Sequence, residues 1–296
     1  MRERRWIAGV MLASVAVGCH SSSPTSAPAG PAGPPPWPSA GCDHAAAPAV
    51  AGERRTLAVG AETRAYLIDA PAVSGDRPLP LVLAFHGFRD DAAGLRGSSG
   101  LVPLAASGAL VAIHPEGHEG VELLSAVGRG WEFVGGDLRD RSFVRALLDA
   151  VEAERCIDRR REFATGFSNG AFFANYLGCA LSDRLAAIAP VAGAEPLDGC
   201  PLSVPLPVLL FHGAEDPIVP VARISAAQEW WRKTNRCAGI DRQQDGCLAA
   251  SGCAADLVLC EGPQRHAWPA DATARLWRFF QAHPKPDAAP APTPSG

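Results

Sequence analysis

Three short stretches of this chain carry residue types that can do chemistry together: Gly166-Phe167-Ser168-Asn169-Gly170, His212-Gly213-Ala214-Glu215-Asp216-Pro217 and Arg265-His266-Ala267-Trp268-Pro269. The first is a G-x-S-x-G pattern, which sets a serine on a sharp strand-to-helix turn with its oxygen exposed. Serine is a weak nucleophile until a base takes its proton, and that base needs an acid behind it to orient it. In chain order Ser168 is followed by Asp216 as the acid, with Glu215 as the neighbouring alternative, and then by His266 as the base. His283 is the other histidine after Asp216, but it falls at the end of the last helical pattern, beside the tail.

A nucleophile that attacks a carbonyl also needs donors for the oxyanion that forms. The helix expected to begin at Asn169 would offer the Asn169 N–H, with the positive end of its dipole behind it. A second N–H would come from Phe88 in His86-Gly87-Phe88, just after an early strand pattern. His86 and His212 read as structural residues. The rest of the sequence narrows the chemistry further. The chain has 296 residues and a formal net charge of −4, and Lys233 and Lys285 are its only lysines, which argues against nucleic-acid binding. Neither lysine follows a glycine, so no phosphate-binding G-x-x-x-x-G-K-[ST] exists. No C-x-x-C occurs and no metal or organic cofactor is implied.

The elements that must position these residues are legible as a period pattern. Arg54–Val59 and Thr63–Asp69 read as an antiparallel entry. The short apolar runs Leu79–Phe85, Ala109–His114, Glu162–Phe167, Leu185–Val191, Pro207–Phe211 and Asp256–Leu259 suit strands covered on both faces. Helical patterns lie between them at Arg141–Ala153, Asn169–Cys179, Val221–Arg232 and Asp271–Ala282. This alternation predicts an α/β domain with a mostly parallel central sheet, whose ligands sit beyond the carboxyl ends of the strands. Ser168, Asp216 and His266 each follow such an end.

The N-terminus reads as an address. A basic start with Arg2, Arg4 and Arg5 precedes the uncharged run Trp6–Val17, too short for a membrane span and suited to a signal peptide. Ala16-Val17-Gly18-Cys19 resembles a bacterial lipobox, which would make Cys19 a lipidated first residue; ordinary cleavage after Gly18 is the alternative. The expected organisation is a signal peptide over 1–18, a Pro/Ala/Ser-rich disordered tether over 19–50, one folded domain over 51–283 and a Pro/Ala-rich tail over 284–296. In an exported chain the eight remaining cysteines read as disulfides. Pairing neighbours gives Cys247 with Cys253, Cys237 with Cys260, Cys179 with Cys200, and Cys42 with Cys156.

The set HGF at 86–88, HPEG at 114–117, GFSNG at 166–170, HGAEDPIVP at 212–220 and HAWP at 266–269 resembles the polyhydroxybutyrate-depolymerase-like esterases, which include feruloyl and acetylxylan esterases, over about residues 50–283. The resemblance implies an α/β-hydrolase fold, with helices on both faces of the sheet. It also implies hydrolysis of carboxylic esters (hydroxyalkanoate, feruloyl or acetyl) by Ser168, Asp216 and His266 through an acyl-enzyme. It implies aromatic pocket walls at Trp131 and Trp268 and an acidic position at Asp140, which we read as structural. Arg265 and Ala270 stand where the family has glycines, and the loop around Glu119–Gly130 is atypical; both lie on the substrate side. The expected substrate is an ester, polymeric or derived from plant cell wall. The expected protein is a monomer that binds no nucleic acid and meets a membrane through its N-terminal lipid alone. It would be exported, as an outer-membrane or cell-surface lipoprotein or as a secreted or periplasmic protein. The rival readings are a serine peptidase on the same fold and a catalytically inactive surface binding protein. The address yields the first prediction: Cys19→Ser moves the protein from the membrane pellet to the soluble fraction with its activity intact, since the lipid, at about 0.8 kcal/mol per buried CH₂, is the sole anchor. Wild-type protein that is already soluble, with an unmodified N-terminal cysteine, overturns the lipobox reading.

Overall fold

The computed structural model describes residues 37–286 apart from 45–46, 73–76, 124, 134–138, 198–203 and 240. The expected signal peptide, Cys19, Cys200 and most of the expected tether and tail lie outside the described residues. The entry hairpin is β1 (Val50–Val59) and β2 (Glu62–Ala70). Next come β3 (Leu79–Phe85), α1 (Ala92–Ser98), α2 (Leu101–Ala106), β4 (Val111–Pro115), a separate hairpin of β5 (His118–Leu123) and β6 (Ala126–Gly130), and α3 (Arg139–Glu154). They are followed by β7 (Ile157–Phe167), α4 (Asn169–Ala180), β8 (Ala187–Val191), β9 (Val208–Gly213) and α5 (Val221–Thr234). The chain closes with β10 (Arg242–Gln244), β11 (Cys247–Ala249), β12 (Leu257–Gly262) and α6 (Ala272–Ala282).

The main sheet has the order β1-β2-β4-β3-β7-β8-β9-β12-β11-β10. Its middle six strands, β4 to β12, are parallel. Both ends are antiparallel. Alternation along β3 shows how the layers form. Leu79, Leu81, Leu83 and Phe85 join the core under α3, α4 and α5. Val82 and Ala84 join a second core under α1, α2 and α6. A strand covered on both faces has no polar positions to spare, which is why these runs are continuously apolar.

The structure moves several expected boundaries. β7 begins at Ile157, paired with Leu79, five residues before the expected start. Arg159, Arg160 and Arg161 hid this stretch, and they are tolerated because Glu152 and Asp158 pair with them. Described residues of the expected tether, from Trp37 on, are tied to the domain. Ser39 exchanges hydrogen bonds with Arg155 and Ile157, Cys42 bonds to Cys156, and a Cβ at Gly41 would sit 2.3 Å from the Arg155 carbonyl oxygen. The tail starts later than residue 284, because Lys285 donates from its backbone to Arg160 and from Nζ to Ser182. Two disulfide pairings are corrected to Cys237–Cys253 and Cys247–Cys260. The reason is register: β11 lies antiparallel to β12 with Leu248 opposite Leu259, which sets Cys247 against Cys260. The Gly239 N–H on the Ser251 carbonyl similarly brings Cys237 to Cys253. Cys179 is disulfide-bonded too, while its expected partner, Cys200, lies outside the described residues.

Charge is buried at a few fixed points. The Asp69 carboxylate accepts from Nε and Nη2 of Arg96 at 2.7 and 2.6 Å and from the Gly52 N–H at 2.8 Å. His114 lies beside it with Nδ1 3.9 Å away and Nε2 3.4 Å from Ser99 Oγ, and is wholly buried. Burial drives the His114 imidazole down to about 4, although the Asp69 carboxylate pulls the other way. The folded protein therefore keeps this ring neutral while the unfolded chain protonates it near its ordinary ~6.5. Stability should be full above that value and fall as pH drops toward about 4, by on the order of 3 kcal/mol. Urea unfolding of wild type and His114→Gln across pH 7 to 4.5 checks this: the variant should show the shallower acid loss, and equal slopes would refute it.

Candidate active site

β7 ends in Phe167 and the next residue is the elbow. Ser168 has φ 54° and ψ −117°, a left-handed region that costs a non-glycine residue roughly 1–3 kcal/mol. The flanking glycines allow the turn. A Cβ at Gly166 would lie 2.4 Å from the Gly170 carbonyl oxygen, and one at Gly170 would lie 2.0 Å from the Phe85 carbonyl oxygen. The Ser168 N–H is held by the Val191 carbonyl at 3.0 Å, and the Ser168 carbonyl accepts the Phe172 N–H at 3.0 Å. The serine is thus presented half-buried at the carboxyl edge of the sheet.

Asp216 stands three residues beyond β9. Its side chain is fully enclosed, with Oδ1 accepting the Ile218 and Val219 N–H groups at 2.8 and 2.9 Å and Oδ2 2.7 Å from His266 Nδ1. Burial pushes this carboxyl up, but the hydrogen bonds from His266, Val219 and Ile218 outweigh it and hold it below the ordinary carboxylate value. It therefore stays ionised behind the imidazole. Glu215 is exposed. His266 lies in the loop between β12 and α6 with its ring against Phe167, centroids 4.9 Å apart. Its hydrogen bond to Asp216 is formed; one to Ser168 is not among the bonds of the described residues. His283 bonds Asp256 at 3.0 Å, at the amino end of β12, the wrong end of the sheet for this site.

The loop after β3 runs beside the serine: a Cβ at Gly87 would lie 3.6 Å from Ser168 Cβ. The Gly87 carbonyl accepts from His86 Nδ1 at 2.7 Å and from the Asp90 N–H at 3.2 Å. In a planar peptide the N–H points away from the carbonyl, so the Phe88 N–H is turned to the opposite side. The Asn169 N–H is in the first turn of α4, where a helix leaves its donors without an acceptor. A hydroxyl, an imidazole backed by a buried carboxylate, and two such donors form an arrangement suited to acyl transfer.

Of the two tryptophans expected as pocket walls, Trp131 borders the cavity beside the site and Trp268 is tied to α6. Trp131 is wholly buried from solvent, stacked on Phe173 at 5.0 Å, and borders the cavity. The Trp268 indole N–H donates to Thr273 Oγ1 at 3.1 Å, which ties the ring to the start of α6. A further aromatic surface beside the site is Phe133 stacked on Phe172 at 5.2 Å, with the Arg223 guanidinium 5.6 Å from the Phe172 ring. Phe172 sits one helical turn after Ser168, a spacing that could have flagged it; Phe133 gave no sequence signal. A cavity of about 460 Å³ whose lining includes Val121, Glu122, Trp131, Glu132, Phe133 and Asn169 opens here, under the β5–β6 hairpin. A cavity of about 570 Å³ at Leu209 and Asp256 lies at the amino ends of β9 and β12, away from the chemistry. Asp140 is structural, its carboxylate taking Arg64 at 2.8 Å and the Glu132 N–H at 3.0 Å. Among the described residues no group of three His, Cys, Asp or Glu side chains is arranged to hold a metal.

Comparison with known proteins agrees with this geometry. Residues 140–246 match the phospholipase/carboxylesterase family model. Feruloyl esterase B of Piromyces equi is 29% identical over 193 residues, 57% of this chain and 35% of that protein. The putative esterase NocK of Nocardia uniformis subsp. tsuyamanensis is 32% identical over 186 residues, 58% of this chain and 51% of its own length. The chain thus spans about a third to a half of the length of these curated relatives. The solved acetyl xylan esterase from Aspergillus awamori superposes with a TM-score of 0.57 at 14% identity, covering 78% of this chain and 99% of that one. Sheet order and serine elbow give the chain the α/β-hydrolase fold, which the solved esterase structure shares.

Proposed function

We propose that this protein is a serine-dependent carboxylic ester hydrolase that works outside the cytoplasm. The observation that carries the reading is the 2.7 Å bond from His266 Nδ1 to the enclosed Asp216 carboxylate, at the same sheet edge as a serine held at positive φ. In this reading His266 takes the Ser168 proton as Oγ attacks the ester carbonyl, and Asp216 orients the ring and stabilises its positive form. The Phe88 and Asn169 N–H groups hold the tetrahedral oxyanion. The alcohol leaves with the proton from His266, and water repeats the cycle on the acyl-serine.

The names of the relatives support feruloyl or acetyl esters as substrate class. The Phe133–Phe172 ledge beside the 460 Å³ cavity favours an aromatic acyl group among these. Three disulfides among the described residues support folding in an oxidising compartment. Anchoring through Cys19 is the mode of attachment we propose, with the proline-rich stretch to Pro36 as its spacer.

Ser168→Ala should lower hydrolysis of p-nitrophenyl acetate by at least about 10³-fold with unchanged thermal unfolding. Near-normal turnover would remove the nucleophile assignment and, with it, the esterase reading. Asp216→Asn, which keeps shape but presents the wrong partner to His266, should cost roughly 10⁴-fold in kcat. A panel of methyl ferulate, acetylxylan and hydroxybutyrate oligomers ranks the substrate classes, with methyl ferulate expected to give the highest kcat/KM.

A further inference from the structure

The segment Arg129-Gly130-Trp131 leaves β6 and passes between the two places that would supply oxyanion donors. A Cβ at Gly130 would lie 2.8 Å from Asn169 Oδ1 and 3.3 Å from the Phe88 ring. On one side, the Arg129 carbonyl accepts the Arg89 N–H at 2.8 Å and the Trp131 indole Nε1–H donates to the His86 carbonyl at 3.0 Å. On the other side, Asn169 Oδ1 accepts the Trp131 N–H at 2.8 Å and Asn169 Nδ2 donates to the Trp131 carbonyl at 3.1 Å. One residue therefore holds the loop after β3 through its side chain and the start of α4 through its backbone.

We propose that Trp131 is the positioning residue of the oxyanion hole, a bridge that fixes the spacing between the Phe88 and Asn169 N–H groups. The inference rests on the esterase reading above. Its physical content is rigidity. The Trp131 ring cannot swing, because it is stacked 5° from parallel on Phe173 and set edge-on to Phe85 at 5.1 Å. The His86 end is equally fixed. His86 Nε2 accepts the Gly117 N–H at 2.9 Å, so Nδ1 carries the proton and donates to Gly87, locking the peptide that bears the Phe88 N–H. The Asn169 carboxamide uses both ends on one residue, so the backbone of the helix's first residue cannot rotate without breaking two hydrogen bonds. Donors to an oxyanion act because they need no reorganisation at the moment of reaction, so a loosened spacing raises the barrier without changing how substrate is bound.

Trp131→Phe keeps an aromatic ring on Phe173 and removes the indole donor. With p-nitrophenyl acetate its kcat should fall between about 10- and 100-fold while KM moves less than about threefold. The inhibition constant of phenylboronic acid, whose boron becomes tetrahedral on bonding to a serine oxygen, should rise by a similar factor. Wild-type kcat and boronate affinity per folded molecule, even with a lowered Tm, would overturn the proposal, because packing alone would explain the residue. Where Trp131→Phe does not unfold cooperatively, Asn169→Ala carries the same expectation, since it keeps the backbone N–H and cuts the carboxamide clamp. Wild type that does not hydrolyse the ester at all would instead sink the esterase reading, so the two failures are distinct.

Discussion

The close approach of the β7–α4 turn to the end of β3 governs this molecule. Gly170 passes so near the Phe85 and His86 carbonyls that any side chain would collide with backbone, and Ser168 is held in a left-handed conformation between two elements that cannot move apart. The strain is sustained because α4 is buried along almost its whole length, with Ala171, Phe173, Ala174 and Leu177 fully enclosed. Each large apolar side chain so buried contributes roughly 1.5–3 kcal/mol, more than the local cost of the turn. Packing thus stabilises a backbone that local preference would not choose, and the serine oxygen is exposed as a result.

Electrostatics around that turn follow one rule: charges are fixed by partners, and histidines inside the sheet edges are kept neutral. His86 and His212 are pushed down by burial, and His86 uses its neutral form to accept one hydrogen bond and donate another. Asp216, by contrast, is held ionised by three donors. Between His86 and the candidate base the difference lies in the neighbour: His266 has a carboxylate at hydrogen-bond distance, while His86 has carbonyl and N–H partners.

The outer parts of the fold are held by other means. The antiparallel strands β10 and β11 are short and partly polar, and Cys237–Cys253 and Cys247–Cys260 staple that edge to the rest of the sheet. Cys42–Cys156 closes a loop of 114 residues and fixes the N-terminal stretch to the start of β7.

How much of this was legible in the sequence can be argued from particular residues. The apolar runs of β3, β8 and β9 and the helix patterns of α4 and α5 follow from burial on both faces, a property written into composition at each position. The glycines at 166 and 170 announced the elbow because only a tight turn requires them. The charged start of β7 and the β5–β6 hairpin were not legible, since Arg159–Arg161 are tolerated in a strand only through their pairing with Glu152 and Asp158 and the hairpin has almost no apolar alternation. The cysteine pairs depended on the register of β11 against β12, which neighbour spacing does not encode. The chain by itself determined which residues have the chemistry of a nucleophile, a base and an acid. Tertiary structure alone decided that Trp131 is a buried bridge at the edge of the cavity, that Phe133 and Phe172 form the aromatic ledge, and that Asp216 rather than Glu215 meets His266, because each depends on contacts between segments far apart in sequence.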